Sequence, residues 1–402
     1  MKTIMIIGAG KGQIPLIEAA KKEGYYSIVC DINPSAVGAP LADEFLPVST
    51  KDRDGLLIAA KSRHIDGIVA NSEYAMCDVA YIANQMDLVG NPENAVEILS
   101  SKSGFRTIQK TEGLFTPVFL EDASIEQILT ENETLPYPIV IKPDKSSGTR
   151  SVAAITDPRE HDAIRKAIYS ARTVSRNGKA IAEEFIPMPT RTVIEGEIFL
   201  HNREILWDGL FNSVRSQNLP MIPMTYVFPL NEEERRICRL KEALSKAFCT
   251  AGIVHGEYNI EMFFTVDDEP FLIELNPRQG GNDLPQYVQE SCGIDLARLL
   301  VTTAMGDDDY WNSIKYHQRK AKPMIHHMLY PHTEGIFEGL IIDDSISDHV
   351  HRTQIDLVKG DRVEKAYDGS FDIGYVDLRF DDIKEQMRVA MQIEDLIHIN
   401  IR

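Results

Sequence analysis

The chain has 402 residues, 43% of them hydrophobic and 26% charged, which is the composition of a globular protein too long for a single ordinary core. Its 61 acidic residues against 42 basic residues give a formal net charge of −19, and so negative a surface disfavours nucleic acid as a partner. No apolar run approaches the length of a membrane span, so no membrane partner is expected either.

The N-terminal sequence and the cysteines together predict a cytoplasmic protein. Met1 and Lys2 lead directly into the apolar stretch 4–7, which is too short for a signal peptide. The five cysteines are scattered and contain no C-x-x-C pair. We therefore expect reduced thiols rather than disulfides or a zinc site.

The first hundred residues alternate short apolar segments with helical ones. They predict strands at 3–7, 27–31 and 67–70 and helices at 14–23, 53–62 and 75–86. This order is typical of a parallel, Rossmann-like sheet. Glu73 follows the last of these strands, at the edge where such sheets bind ligands, and is therefore a candidate for the substrate pocket.

A glycine-rich turn follows the first strand. The sequence Gly8-Ala9-Gly10-Lys11-Gly12-Gln13, with Asp31 after the next strand, resembles a dinucleotide-binding fingerprint. Gln13 stands where that fingerprint has its third glycine. We therefore favour a tight turn at a substrate-facing edge, with Gly10 as a candidate substrate residue, and keep a dehydrogenase as a minor alternative.

Glycines and prolines within 104–136 mark the entry to a second unit. A strand at 137–142 then places Lys142 at its end, and the loop 144–150 combines small residues with two cations, a composition suited to cradling phosphates. A helix at 157–173 and a strand at 180–185 follow.

A long amphipathic helix comes next. Asn231 is a favourable N-cap, Glu234 is its reciprocal capping partner, and Gly252 ends the helix. Near the C-terminus a last helix is predicted with Ile383, Met387 and Ala390 on its apolar face.

The segment 256–276 predicts a β-hairpin that turns at Asp267-Asp268. In its second strand Phe271, Ile273 and Leu275 share one face, which leaves Glu274 and Asn276 on the other. A turn centred there places Glu261 directly opposite Glu274. Facing carboxylates repel each other unless a cation lies between them, and oxygen ligands of this kind suit Mg²⁺. The alternative is an ordinary solvent-facing polar sheet face.

The order of these motifs resembles the ATP-grasp superfamily, above all its carboxylate–amine ligases: amino-acid and dipeptide ligases, glycinamide ribonucleotide synthetase and the biotin carboxylase group. The motifs are Lys102; Pro138-Ile139-Val140-Ile141-Lys142-Pro143; Glu183-Glu184-Phe185-Ile186-Pro187; Ile260-Glu261-Met262-Phe263; and Leu272-Ile273-Glu274-Leu275-Asn276-Pro277-Arg278.

The resemblance implies three domains, α/β and α+β in class. They are a Rossmann-like pre-grasp domain at 1–103, a two-lobed ATP-grasp domain at 104–305, and a small C-terminal closing domain at 306–402. The small lobe would span about 115–185 and the large lobe about 186–305.

The resemblance also implies the site residues. Lys102 and Lys142 would contact ATP phosphates beneath a loop containing Ser146, Ser147, Gly148 and Arg150, while Glu183, Glu184 and Ile186 would meet adenine. Glu261, Glu274 and Asn276 would hold Mg²⁺ (or Mn²⁺), Arg278 would stabilise an acyl phosphate, and Gly280 and Gly281 would face the substrate. The ribose contact is unassigned, because Met188-Pro189-Thr190-Arg191 occupies its place and neither Glu195 nor Glu197 is chosen.

The activity implied is ligation of a small carboxylic acid, such as an amino acid, to an amine, with ATP converted to ADP and phosphate. A phosphoribosylamine–glycine ligase and a non-catalytic nucleotide-binding regulator are the alternatives. A homodimer is the expected assembly. Ordinary structural roles are preferred for His255, His326, His327 and His332.

Overall fold

A computed structural model describes residues 1–122, 124–130, 135–146, 150–220, 222–316 and 319–402. Ser147 and Gly148, which the sequence places in the phosphate loop, lie outside the described residues. Within the described ranges no helix is long and apolar enough to cross a membrane.

The first region forms a parallel sheet flanked by helices. Its elements are β1 (Thr3–Ile7), α1 (Ile14–Lys22), β2 (Tyr26–Cys30), β3 (Glu44–Leu46), α2 (Arg53–Arg63), β4 (Gly67–Val69), α3 (Met76–Gln85), α4 (Glu93–Leu99) and α5 (Lys102–Thr111). The strand order is β3-β2-β1-β4 and every pairing is parallel. These pairings confirm the predicted parallel sheet. Its strands β1, β2 and β4 are mostly buried apolar runs, as is typical of a parallel sheet covered on both faces.

A small antiparallel sheet follows. Its elements are β5 (Phe119–Leu120), α6 (Ile125–Thr130), β6 (Ile139–Pro143), β7 (Ala153–Ile155), α7 (His161–Val174) and β8 (Ala180–Glu184). The strand order is β5-β8-β6-β7. Ile164 and Ala171 of α7 are fully buried in the cluster that contains the inner face of this sheet.

The remaining elements build one large sheet and a smaller one beside it. They are β9 (Thr192–His201), β10 (Glu204–Leu206), β11 (Leu210–Arg215), β12 (Pro223–Phe228), α8 (Glu234–Ala251), β13 (Gly256–Phe264), β14 (Pro270–Asn276), α9 (Leu284–Cys292), α10 (Leu296–Ala304), α11 (Asp309–Ile314), β15 (Met324–Met328), β16 (Gly335–Ile342), β17 (Val350–Ile355), β18 (Arg362–Val363), β19 (Gly374–Arg379), α12 (Ile383–Leu396) and β20 (Ile397–Ile401). Nine strands pair in the order β14-β13-β9-β11-β12-β15-β19-β17, with β10 joined to β9, and β18-β16-β20 form the second sheet. The C-terminal strands therefore continue the sheet that carries the hairpin β13–β14.

Two helix predictions are corrected in detail. Asn231 is not the N-cap of α8: the helix begins at Glu234, and the backbone N–H of Asn231 donates to Asn212 Oδ1 at 2.7 Å instead. This contact with β11 fixes the chain before the helix starts. Gly252 does end α8, with a φ of 77° that favours glycine.

The buried stripe of α12 differs from the predicted one at its start, whereas Ala390 is buried and Met387 packs against the core as predicted. Ile383 is exposed, whereas Gln386 is buried because its Nε2 donates to the carbonyls of Phe228 and Met324. These two bonds tie the helix to strands β12 and β15.

The close approach of β9 to the start of β11 generates a prediction. An added Cβ at Gly209 would lie 1.9 Å from the carbonyl oxygen of Glu197, whereas one at Gly12 would meet nothing within 4 Å. Gly209→Ala should therefore lower the free energy of unfolding by about 1–3 kcal/mol. Gly12→Ala is the matched control and should change it by less than about 0.5 kcal/mol. Urea unfolding midpoints would test both, and equal midpoints for the two variants would contradict the packing.

Candidate active site

A cavity of about 560 Å³ separates the small antiparallel sheet from the nine-stranded sheet. It has the size and mixed polarity of a small-molecule site. Twelve of the residues singled out from the sequence line it: Lys102, Lys142, Ser146, Arg150, Glu183, Glu184, Ile186, Glu261, Glu274, Asn276, Arg278 and Gly281.

Three other candidates lie outside the cavity wall. Glu73 is nearby, because its carboxylate bonds Arg176 at 2.5 Å and reaches Arg278, a cavity residue, at 3.5 Å. Gly280 is held beneath the wall, where its N–H donates to both oxygens of Glu197 at 3.0 and 2.9 Å. Gly10 is a tight-turn residue whose N–H donates to the side chain of Gln13.

Strand register aligns two polar rows across β9, β13 and β14. The first row is Glu195, Glu261 and Glu274, and the second is Glu197, Asn259 and Asn276. The predicted pairing of Glu261 with Glu274 is thus confirmed. Neighbouring strands are about 4.8 Å apart, so each row spans about 10 Å and the carboxylates repel one another.

A bulge in the hairpin corrects the rest of the predicted pattern. Pairing shifts between Glu261 and Met262, so that Met262 faces Leu272 and Ile273 becomes the extra residue. Leu272 and Leu275 consequently lie in the core, whereas Phe271 and Ile273 line the cavity. The prediction that Phe271, Ile273 and Leu275 share one face is therefore wrong.

Basic side chains approach the first row from both ends. Lys102 Nζ lies 3.2 Å from Glu274, while Arg215 Nη2 lies 2.8 Å from Glu261 and 3.3 Å from Glu195. Burial alone would raise the pKa of Glu274, but Lys102 and Lys142 outweigh it and lower the pKa to about 2. Burial and the neighbouring Glu261 raise the pKa of Glu195 to about 8. The Glu274 end therefore keeps its negative charge.

Lys142 reaches the cavity from the small sheet. It is ion-paired with Glu183, which Arg106 also contacts at 3.0 Å. Burial lowers the pKa of Lys142, although Glu183 opposes that shift. Burial would raise the pKa of Glu183, yet Arg106 and Lys142 lower it to about 2. The pair thus places a cation and an anion in the same wall.

Sequence reasoning missed several residues of the site. Arg215, Tyr226, Asn282 and Tyr330 line the cavity from strands and loops distant in the chain. Asn282 adopts a left-handed φ of 52° and donates to the Tyr226 hydroxyl at 2.8 Å. A non-glycine residue held at positive φ is typical of functional sites. Arg106, which lies behind the cavity wall, is the one missed residue that the sequence could have indicated. It follows Lys102 by four residues, a spacing that places both side chains on one face of a helix.

The site is poorer in acidic ligands than a self-sufficient metal centre. Among the described residues no group of three or more His, Cys, Asp and Glu side chains could hold a metal ion. Glu261, Glu274 and Asn276 supply two carboxylates and one amide. This donor set fits Mg²⁺, which is commonly held by one or two carboxylates together with the phosphates of a substrate.

Comparisons with known proteins agree with this architecture. No protein-family model matches the chain. The carbamoyl phosphate synthase large chain of Thermotoga maritima is 22% identical over 321 residues, which are 75% of this chain but only 28% of that protein. The chain therefore spans less than a third of the length of this relative.

Solved structures match over almost the full chain. An L-amino acid ligase from Bacillus licheniformis has a TM-score of 0.78 at 21% identity, covering 100% of this chain and 99% of that one. A phosphoribosylglycinamide synthetase from Anaerococcus prevotii has a TM-score of 0.71 at 20% identity and covers 100% of both chains. The biotin carboxylase domain of a Hydrogenobacter thermophilus 2-oxoglutarate carboxylase, complexed with MgADP, has a TM-score of 0.71 at 15% identity, covering 100% and 91%.

The fold agrees with the ATP-grasp fold that the motif resemblance implied. More narrowly, the chain has the fold shared by the L-amino acid ligase and the phosphoribosylglycinamide synthetase. At these identities the likeness establishes the fold.

A buried carboxyl pair behind the cavity generates a pH prediction. Burial and the adjacent Glu197 raise the pKa of Glu257 well above its usual range. The unfolded chain ionises this glutamate near pH 4.3, so folding requires proton uptake above that pH and stability falls as pH rises, by up to about 1.4 kcal/mol per pH unit. Glu257→Gln removes this dependence and should raise the unfolding free energy relative to wild type more at pH 8 than at pH 5.

Urea unfolding at the two pH values would measure this change. The exposed Glu364→Gln serves as the control and should give the same difference from wild type at both. A Glu257→Gln variant whose stability relative to wild type is independent of pH would contradict a protonated Glu257.

Proposed function

We propose that this protein is an ATP- and Mg²⁺-dependent ligase. It would join a small carboxylic acid, such as an amino acid, to an amine through an acyl-phosphate intermediate and release ADP and phosphate. The observation that carries the proposal is that one cavity is lined by Glu261, Glu274 and Asn276 together with Lys102 and Lys142, with Lys102 Nζ 3.2 Å from Glu274. This is the charge arrangement that phosphoryl transfer requires.

The nucleotide would lie against the small sheet. Lys102 and Lys142 would contact its phosphates, assisted by Ser146 and Arg150, and by Ser147 and Gly148 of the same loop. Glu183, with backbone atoms of Glu184 and Ile186, would meet the adenine ring. The likeness to a fold that is complexed with MgADP in another protein supports this placement.

Glu261, Glu274 and Asn276 would hold Mg²⁺, which would supply charge neutralisation for the phosphates. A carboxylate oxygen of the acid attacks the γ-phosphorus, and the bond from that phosphorus to the ADP oxygen breaks. The amine nitrogen then attacks the acyl carbon, the carbon–oxygen bond to phosphate breaks, and the nitrogen loses a proton. Arg278 would stabilise the charge on the acyl phosphate.

Other assignments have less support. A phosphoribosylamine–glycine ligase remains the second candidate, because the phosphoribosylglycinamide synthetase fold matches over the full chain. A non-catalytic nucleotide sensor would have no need of Arg278 in the cavity. A dehydrogenase is disfavoured because the Gln13 side chain bonds Gly10 and Asn71 at the turn where a dinucleotide would approach. A cytoplasmic homodimer acting on small molecules is part of the proposal.

The direct test is Mg²⁺-dependent conversion of ATP to ADP and phosphate with paired pools of amino acids, other small carboxylates and amines. Glu274→Ala should lower turnover at least about a hundredfold, because it removes a metal ligand. Glu269→Ala, in the exposed turn of the same hairpin, is the control and should retain turnover. Equal turnover in both variants, or nicotinamide reduction in place of ADP formation, would refute the ligase.

A metal-binding measurement tests the site without a substrate. Arg215 occupies Glu261 Oε2 at 2.8 Å, so a divalent cation must compete with it for that oxygen. Arg215→Gln should therefore bind Mn²⁺ several-fold more tightly than wild type in electron paramagnetic resonance titrations. The exposed Arg235→Gln is the control and should leave the affinity unchanged. Weaker Mn²⁺ binding by Arg215→Gln would contradict this competition.

A further inference from the structure

Arg106 is the largest fully buried side chain of the protein's described residues, and it is not among the residues that line the candidate active-site cavity. It lies on α5, one turn after Lys102, whose ammonium faces Glu274. A buried guanidinium is costly unless all its N–H groups are bonded. The hydrogen-bond acceptors of the Arg106 guanidinium therefore indicate its role.

All five N–H groups of Arg106 have acceptors. They are Glu183 Oε2 (3.0 Å from Nε), Glu183 Oε1 (3.3 Å from Nη2), Gln109 Oε1 (2.7 Å from Nη1), the carbonyl of Leu272 (3.2 Å from Nη1) and the carbonyl of Ile273 (3.0 Å from Nη2). The guanidinium has five donors in a rigid fork, so this set leaves none unused.

These acceptors belong to both walls of the cavity. Glu183 is on β8 in the small sheet, whereas Leu272 and the extra residue Ile273 are on β14 in the large sheet. Because β14 is an edge strand of that sheet, carbonyls that face away from β13 have no strand partner, and Arg106 donates to these two. Arg106 therefore fixes the bulge and the carboxylate of Glu183 at the same time.

Glu183 consequently has two buried cations, Arg106 and Lys142. They are not equivalent. The Arg106 side chain is fully buried and its donors are all engaged, whereas Lys142 faces the cavity. If Lys142 turns toward an anion in the cavity, Glu183 keeps one counterion and never becomes an unpaired buried charge.

We propose that Arg106 is a positioning residue that releases Lys142 for the phosphates of the nucleotide by retaining the charge of Glu183. The inference rests on the proposed nucleotide site and extends it to a residue that touches neither nucleotide nor metal. Without Arg106, Lys142 would be the sole counterion of Glu183, and its move to a phosphate would strand a buried carboxylate.

The test is the binding of MgADP to the full chain by isothermal titration calorimetry. Arg106→Met should weaken binding at least tenfold. Arg106→Lys keeps the charge with fewer donors, so it should lower the unfolding midpoint yet stay within about threefold of wild-type affinity. In a Glu183→Gln background no carboxylate can be stranded, and adding Arg106→Met should change the affinity less than threefold.

A purely architectural Arg106 gives a different pattern. In that case Arg106→Met would weaken MgADP binding by the same factor in the wild-type and the Glu183→Gln backgrounds. A folded Arg106→Lys would also lose MgADP affinity together with stability. Either result overturns the inference. Should Arg106→Met fail to fold, Arg106→Lys decides alone. If wild type and Arg106→Met bind MgADP equally well and Lys142→Met does not bind it, only the role of Arg106 is refuted. Wild type that binds no MgADP refutes the proposed function itself.

Discussion

The alignment of three acidic side chains across neighbouring strands is the constraint on which the site depends. Strand register places Glu195, Glu261 and Glu274 side by side across β9, β13 and β14, an arrangement that cations must compensate. Arg215 does so at one end and Lys102 at the other. The pairing of the strands thus sets side by side the acidic groups that Lys102 and Arg215 contact.

The compensation comes from three separate parts of the fold. Lys102 begins a helix that follows the parallel sheet, Lys142 ends a strand of the small sheet, and Arg215 ends a strand of the large one. The pair of Lys102 with Glu274 links the helix that follows the parallel sheet to the large sheet. Glu73 adds a further link, since it joins Arg176 to Arg278.

The sequence predicted the parallel sheet, the hairpin and the facing pair Glu261 and Glu274, because each follows from local periodicity. The bulge at Ile273 was missed, because no local periodicity marks the extra residue of a strand. Arg215 and Tyr226 were missed for a similar reason. Each lies in a strand without a recognisable sequence motif, and only the order of the strands in the sheet brings them to the cavity.

The part of the cavity wall that comes from the C-terminal region could not be predicted from the sequence. It includes Tyr330, Gly369 and Ser370, which follow strands or lie in loops of the C-terminal region. No periodic pattern places loop side chains, whereas the lysines and carboxylates of the proposed nucleotide and metal site lie on regular elements. Two proteins with this fold are named for different activities, an L-amino acid ligase and a phosphoribosylglycinamide synthetase. In the proposed ligase, the fold therefore constrains the phosphoryl chemistry more tightly than the identity of the acid or the amine.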